Sequence, residues 1–230
     1  LDIRGFGKSF DENTPLSMEL FTEDLILFME ELNIERAVLC GLSMGGFIAL
    51  DAVKRFPEYF DALILCDTQC IADSSEVKEK RLATIEEIKN DGSKAFKEKF
   101  VKSVFHTETL TNKPGLVDEL RSVVNANSDR VINAGLQALA DRSETCSILE
   151  NITIPTLIIC GREDEVTPLA QSEAMHKSIK NSELRIIDNA GHVSNLESPV
   201  EFNSYINEFL TTLSDSQTVV PNSEPLSPKI

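Results

Sequence analysis

The sequence has few basic residues and no long apolar run, and each scarcity excludes a class of function. Lysine and arginine together number 22 against 38 aspartate and glutamate residues, which leaves a formal net charge of −16. Nucleic acids and anionic membrane surfaces bind basic patches, so we predict neither as a partner. No apolar run reaches the roughly eighteen residues that a membrane span needs, so no transmembrane helix is predicted.

Patterns typical of metal binding are missing as well. The three histidines lie far apart, and no two cysteines have Cys-x2-Cys spacing. We therefore predict no metal site and no cofactor. Three of the five cysteines, Cys40, Cys66 and Cys160, end apolar runs, and they are interpreted as small buried residues in a reducing, cytoplasmic compartment. The chain begins at Leu1 rather than Met, which leaves room for a signal peptide ahead of it.

Short apolar runs alternate with helix-like segments at both ends of the chain. Runs at 37–40, 62–66, 156–160 and 184–188 predict strands, whereas 72–146 contains amphipathic helical patterns and no convincing strand. Strands that alternate with helices indicate a parallel sheet. The predicted fold class is therefore α/β, a mostly parallel sheet with flanking helices and an inserted all-helical segment.

This alternation divides the chain into four parts. Residues 1–68 and 149–213 are predicted to form the two halves of one core, and residues 69–148 an insertion over one end of the sheet. Residues 214–230 are rich in proline and serine and have almost no apolar pattern, so they are predicted to be a disordered tail.

One Gly-x-Ser-x-Gly motif, Gly41-Leu42-Ser43-Met44-Gly45, lies between a predicted strand and a predicted helix. This is the context of a nucleophile elbow, a strained turn that exposes the serine hydroxyl at its tip. We expect glycine at 41 and 45 because a side chain at either position would collide across the turn. The motif arises by chance in about one chain in ten of this length, so an idle turn serine is the alternative.

Polar groups follow each of the predicted strands. Ser43 follows the first strand, Asp67 the second, the acidic run 163–165 the third and His192 the fourth. Because the carboxyl ends of parallel strands meet at one edge of a sheet, a hydroxyl, a carboxylate and an imidazole are expected there together. Nucleophilic acyl transfer uses this set of groups. Position alone leaves the acid open between Asp67 and the acidic run.

Four stretches in this order resemble the α/β-hydrolase superfamily, over residues 1 to about 213. They are Asp2-Ile3-Arg4-Gly5-Phe6-Gly7-Lys8-Ser9, Gly41-Leu42-Ser43-Met44-Gly45-Gly46, Gly161-Arg162-Glu163-Asp164 ahead of Thr167-Pro168, and Ala190-Gly191-His192. Within the superfamily, the chain is most similar to the small esterases and lactonases that include 3-oxoadipate enol-lactonases.

The resemblance implies a role for each of the three groups. Ser43 would be the nucleophile, Asp164 the acid and His192 the base, with 69–148 as a cap over the site. Asp67 stays the alternative acid, since some members take the acid after the earlier strand. The backbone N–H of Met44 would supply one half of the oxyanion hole. The other half, like the first strands of the superfamily, is expected to precede the first residue and to be missing here.

The predicted function is a serine hydrolase that cleaves a small carboxylic ester or lactone through an acyl-enzyme. Its partner would be the small-molecule substrate, and no cofactor is needed. A carbon–carbon bond hydrolase of the same fold and a non-catalytic ligand-binding protein are the alternatives. The substrate-binding residues stay unknown: Arg142 could hold a substrate carboxylate or could end a solvated helix. The oligomeric state is not predicted.

Overall fold

A computed structural model describes residues 1–10 and 14–218, with side chains through residue 215. Its sheet has four parallel strands in the spatial order β1-β2-β3-β4. The strands are β1 (Ala37–Leu42), β2 (Phe60–Cys66), β3 (Thr156–Gly161) and β4 (Ser182–Ile187). The predicted parallel α/β architecture is therefore confirmed.

Helices cover both faces of this sheet. They are α1 (Met18–Glu31), α2 (Met44–Arg55), α8 (Leu169–Ser178), the short α9 (Ser194–Glu197) and α10 (Pro199–Thr218). Successive residues of a strand point to opposite faces. Leu65 of β2 accordingly packs in one apolar cluster with Leu50 of α2, and its neighbour Ile64 packs in another with Phe202 of α10.

Five α-helices lie between β2 and β3, and we call them the helical insertion. They are α3 (Ser75–Asp91), α4 (Lys94–Val104), α5 (Thr107–Asn112), α6 (Pro114–Asn125) and α7 (Asp129–Asp141). Helix α3 packs on α7, and α4 packs on α6. Apolar patterns at about 76–90, 94–104, 116–127 and 130–142 predict four of these helices and miss α5, whose six residues are too few to show an apolar period.

The C-terminal helix is longer than predicted. Helix α10 continues through Thr218, so the first five residues of the predicted tail are helical, and 219–230 lie outside the described residues. None of the described helices is both long and apolar enough to cross a membrane.

The cysteines differ from prediction in two ways. Cys66 and Cys160 are buried as expected, but Cys40 is exposed because β1, within the described residues, pairs with β2 alone. Cys70 and Cys146 form a disulfide, whereas the sequence predicts a reducing compartment. The bond joins the two ends of the helical insertion, and the backbone N–H of Thr145 also donates to the carbonyl of Cys70 at 2.8 Å.

Candidate active site

Ser43 lies at the sharp turn between β1 and α2, in a backbone conformation that few residues adopt. Its φ of 53° and ψ of −116° place a non-glycine residue at positive φ, which costs on the order of 1–3 kcal/mol. Neighbouring groups hold the turn: the N–H of Ser43 donates to the carbonyl of Cys66 at 2.9 Å, and the hydroxyl of Thr68 donates to the carbonyl of Ser43 at 2.8 Å. The predicted elbow geometry is therefore present.

The glycines around the turn have unequal roles. A Cβ at Gly41 would collide with the backbone of Gly45 and Gly46, as expected for a close approach. A Cβ at Gly45 would meet nothing within 4 Å, so the expectation of a collision at this position is wrong. The second crowded position is Gly46 instead, where a Cβ would collide with the side chain of Thr68. The motif spacing cannot reveal this, because Thr68 comes from the next strand end.

The imidazole of His192 lies between Ser43 and Asp164. Its Nε2 is 2.7 Å from Oγ of Ser43, and its Nδ1 is 2.9 Å from Oδ2 of Asp164. His192 is 3% exposed and Asp164 is 4% exposed. The sheet brings together three side chains that lie up to 149 residues apart in sequence. In this arrangement the imidazole can accept the serine proton while the carboxylate orients the ring.

The carboxylate of Asp164 accepts three further hydrogen bonds from its own loop. The N–H groups of Val166 and Thr167 donate to Oδ1 at 2.8 and 2.9 Å, and the hydroxyl of Thr167 donates to Oδ2 at 2.7 Å. Burial opposes ionisation, but the hydrogen bond and charge of His192 and the Thr167 donors outweigh it, so the pKa of Asp164 lies below its ordinary value. The carboxylate is thus held in its charged form.

Position alone leaves other acids open, and their contacts separate them from Asp164. Glu163 accepts the N–H of Ala190 at 3.1 Å, and Glu165 is exposed. Asp67 is fully buried but turns to other groups: it accepts the N–H of Gly161 at 2.8 Å and both donors of Ser194. Among these acids, the described contacts of the His192 ring are therefore to Asp164.

Asp67 nevertheless belongs to the site. Burial raises its pKa to about 7, against the hydrogen bonds from Ser194 and Gly161, and the charge of Asp164 adds to the rise. Ligand-type atoms of Asp67, Asp164 and Cys160 lie within 4.8 Å of one another. All four carboxylate oxygens of this group accept hydrogen bonds from protein donors, so the group holds loops together and presents no open oxygen.

Met44, the predicted oxyanion donor, is the first residue of α2. The N–H at this position of a helix has no acceptor within the helix, so it is available to a ligand. Its side chain packs in an apolar cluster with Phe6 from the N-terminal loop and Ala134 and Ala138 from α7. The surroundings of Ser43 are therefore apolar on this side and include a helix of the insertion.

Arg142 does not end a solvated helix, and its guanidinium is bound within the protein. Its guanidinium pairs with the carboxylate of Asp73 at 2.7 Å, donates to the carbonyl of Ile71 at 3.1 Å, and lies 4.4 Å from the ring centre of Phe47. The side chain is 2% exposed, so the prediction of a solvated helix end is wrong. The ion pair between Arg142 and Asp73 holds the end of α7 close to the disulfide, which is a structural role.

Three supporting residues were missed by sequence reasoning. The hydroxyl of Thr167 donates to Asp164 and its oxygen lies 3.3 Å from Nδ1 of His192. Ser194 binds Asp67, and Glu197 accepts the N–H of Gly191 at 2.6 Å. Ser194 and Glu197 lie in the short interval between His192 and α10. That position could have drawn attention to them, but it does not reveal their partners.

Comparison with known proteins shows the family of the chain. The pattern of the alpha/beta hydrolase fold family matches residues 1–199. The chain is 28% identical over 202 residues to 3-oxoadipate enol-lactonase 2 of Acinetobacter baylyi, and the match covers 88% of this chain and 74% of that relative.

Solved structures give the same result. A thermophilic esterase from Thermogutta terrifontis superposes with a TM-score of 0.88 at 30% identity, over 92% of this chain and 78% of the esterase. The enol-lactonase from Burkholderia xenovorans superposes with a TM-score of 0.84 at 26% identity, over 91% and 79% of the two chains. These relatives are hydrolases, and on the family match the chain itself is a hydrolase that belongs to the α/β-hydrolase family.

Proposed function

We propose that this hydrolase cleaves a small carboxylic ester or lactone through an acyl-enzyme formed on Ser43. One observation carries the proposal: an unbroken line of hydrogen bonds runs from Oγ of Ser43 through the His192 ring to Asp164. The serine is in a strained turn and the other two groups are buried, which is the arrangement of an activated nucleophile.

Each group has a defined part in the proposed reaction. Nε2 of His192 takes the proton from the hydroxyl of Ser43 as Oγ forms a bond to the carbonyl carbon. The N–H of Met44 donates to the oxyanion that results. The imidazolium, stabilised by Asp164, then gives its proton to the leaving alkoxide oxygen as the ester C–O bond breaks. Water repeats these steps on the acyl-enzyme, and for a lactone the product is a single hydroxy acid.

The helical insertion, with residues 69–148 as its proposed bounds, acts as the cap of this site. Val104 at the end of α4 accepts the N–H of His192 at 2.8 Å, and Phe6 lies against Gly135 of α7. The apolar contacts near Met44 favour an uncharged acyl group. The cytoplasmic location stays a prediction, and the disulfide of Cys70 and Cys146 argues against it.

A fluorophosphonate probe tests the nucleophile directly. The wild-type chain and S178A, which removes a partly exposed serine of α8, are expected to label equally, and S43A is expected not to label. Persistent labelling of S43A would refute the nucleophile. Labelling of the wild type without turnover of any short p-nitrophenyl ester or lactone would instead favour the non-catalytic ligand-binding alternative.

A further inference from the structure

The loop that carries His192 is pressed against the helical insertion with no room for a side chain between them. A Cβ at Gly191 would lie 2.7 Å from the nitrogen of His106 and 2.9 Å from the carbonyl oxygen of Val104. These distances are shorter than real Cβ contacts allow, so glycine is needed for the backbones to meet. The segment between α4 and α5 therefore rests directly on the residue before the imidazole.

A single buried carboxylate binds both sides of this contact. Glu197 of α9 is 2% exposed. Its Oε1 accepts the N–H of Gly191 at 2.6 Å, and its Oε2 accepts the N–H of His106 at 3.0 Å. A third hydrogen bond crosses the same boundary, from the N–H of His192 to the carbonyl of Val104 at 2.8 Å. The main chain next to the proposed base is thus bonded to the insertion directly and through Glu197.

Two other acids hold the same loop, but from the core side. Glu163 accepts the N–H of Ala190 at 3.1 Å, and Asp67 accepts the N–H and hydroxyl of Ser194. Neither has a described bond to the insertion. Glu197 therefore differs from both, because withdrawal of the insertion would break its bond to His106 and leave a buried acceptor poorly satisfied, which is unfavourable.

We infer that Glu197 is a positioning residue that couples the cap to His192, so that the imidazole is held in place only while the segment 104–106 is docked. The kinetic part of this inference rests on the proposed function. The mechanical part, that loosening the segment also loosens the histidine loop, can be measured with no substrate present.

A proline substitution can remove the link to the Glu197 side chain from the cap side, while the bonds from His192 to Val104 and from Lys113 to the carbonyl of Glu197 remain. His106 has φ −59° and ψ 146°, and Phe105 before it has φ −98° and ψ 147°. Both conformations suit a proline and the residue that precedes one. H106P deletes the N–H that binds Glu197 and puts the ring Cδ in its place beside that carboxylate, while residue 197 itself is unchanged. H106A is its matched control, since it also loses the imidazole but keeps the N–H.

Hydrogen–deuterium exchange of the full chain measures the coupling between the segment 104–106 and the His192 loop. Relative to H106A, we expect H106P to speed exchange both in peptides covering 104–110 and in peptides covering 188–196. We expect a loss of about tenfold in kcat on a short ester, with KM changed less than about twofold. E197Q, whose amide can accept only one of the two N–H groups, should do the same. E163A, which removes the acceptor of the Ala190 N–H, should loosen only the histidine loop, and E201Q, an exposed change on α10, should match wild type.

The outcomes separate the inference from the proposed function. Faster exchange at 104–110 in H106P with wild-type exchange at 188–196 would overturn the inference, as would a kcat within about twofold of H106A. If E197Q fails to fold, H106P decides alone. If the wild type neither labels with fluorophosphonate nor turns over esters, the proposed function fails, and exchange in the two segments still decides the coupling.

Discussion

Replacement of Asp67 by asparagine should change how the stability of this protein depends on pH. Asp67 is fully buried, and its pKa is raised from 3.8 to about 7, chiefly by burial. The folded protein therefore binds this proton more tightly than the unfolded chain does. Between about pH 4 and pH 7 the unfolded chain has released the proton while the folded protein retains it, so the free energy of unfolding falls as pH rises through this window.

The size of the effect follows from the width of the window. About three pKa units at 1.36 kcal/mol each give a loss of stability on the order of 4 kcal/mol, absent below about pH 4 and complete above about pH 7. The asparagine of D67N does not ionise, so the variant lacks this loss. It would also lose one acceptor for the donors of Gly161 and Ser194, at a cost of about 1–3 kcal/mol that does not vary with pH.

The assay is urea unfolding followed by far-ultraviolet circular dichroism, because the chain has no tryptophan to report by fluorescence. The free energy of unfolding of D67N relative to wild type should rise by about 4 kcal/mol between about pH 4 and pH 8. D164N is the control, and its free energy of unfolding relative to wild type should not change between about pH 4 and pH 8. The pKa of Asp164 is lowered, so its contribution is present above its ordinary pKa and lost as pH falls through the folded value. A D67N difference that is the same at both pH values would show the reasoning to be wrong.

Three further outcomes are expected. G41A should destabilise the fold and abolish fluorophosphonate labelling because its Cβ collides with the opposite backbone, whereas G45A should label like wild type. T167V removes the hydroxyl that donates to the acid of the site, and a loss of about tenfold in kcat at unchanged KM is expected, measured on a short ester. Reduction of the bond between Cys70 and Cys146, which are 76 residues apart, should lower the free energy of unfolding by about 4 kcal/mol, and thermal unfolding with and without reductant measures it.

The positions of Ser43, Asp164 and His192 could be predicted because a parallel sheet converts chain order into spatial order. Each residue closely follows a strand, and strands that run the same way end at the same edge. The prediction for the turn itself is only partly right. Gly46, rather than Gly45, is the second crowded glycine, and this depends on Thr68, which arrives from another strand end.

Contacts between a side chain and a distant backbone could not be predicted. Glu197 and Glu163 bind main-chain N–H groups, and such donors carry no residue type that a sequence pattern could show. The prediction for Arg142 is wrong for a related reason: its partner Asp73 lies 69 residues away, at the other end of the insertion. The disulfide could not be predicted for the same reason, since only the folded insertion brings Cys70 and Cys146 together.

The environments of Asp67 and Asp164 favour Asp164 as the proposed acid, a choice that position alone leaves open. Both carboxylates are buried at one edge of the sheet, and each disfavours ionisation of its neighbour. Asp164 is hydrogen-bonded to the imidazole of His192 and to three donors from its own loop, and its pKa lies below the ordinary value. Asp67 accepts hydrogen bonds from neutral donors, and burial raises its pKa to about 7. Two acids whose pKa values are pushed apart can take separate tasks. Asp164 can then stabilise the imidazolium with a permanent charge, while Asp67 adds a second charge only above about neutral pH.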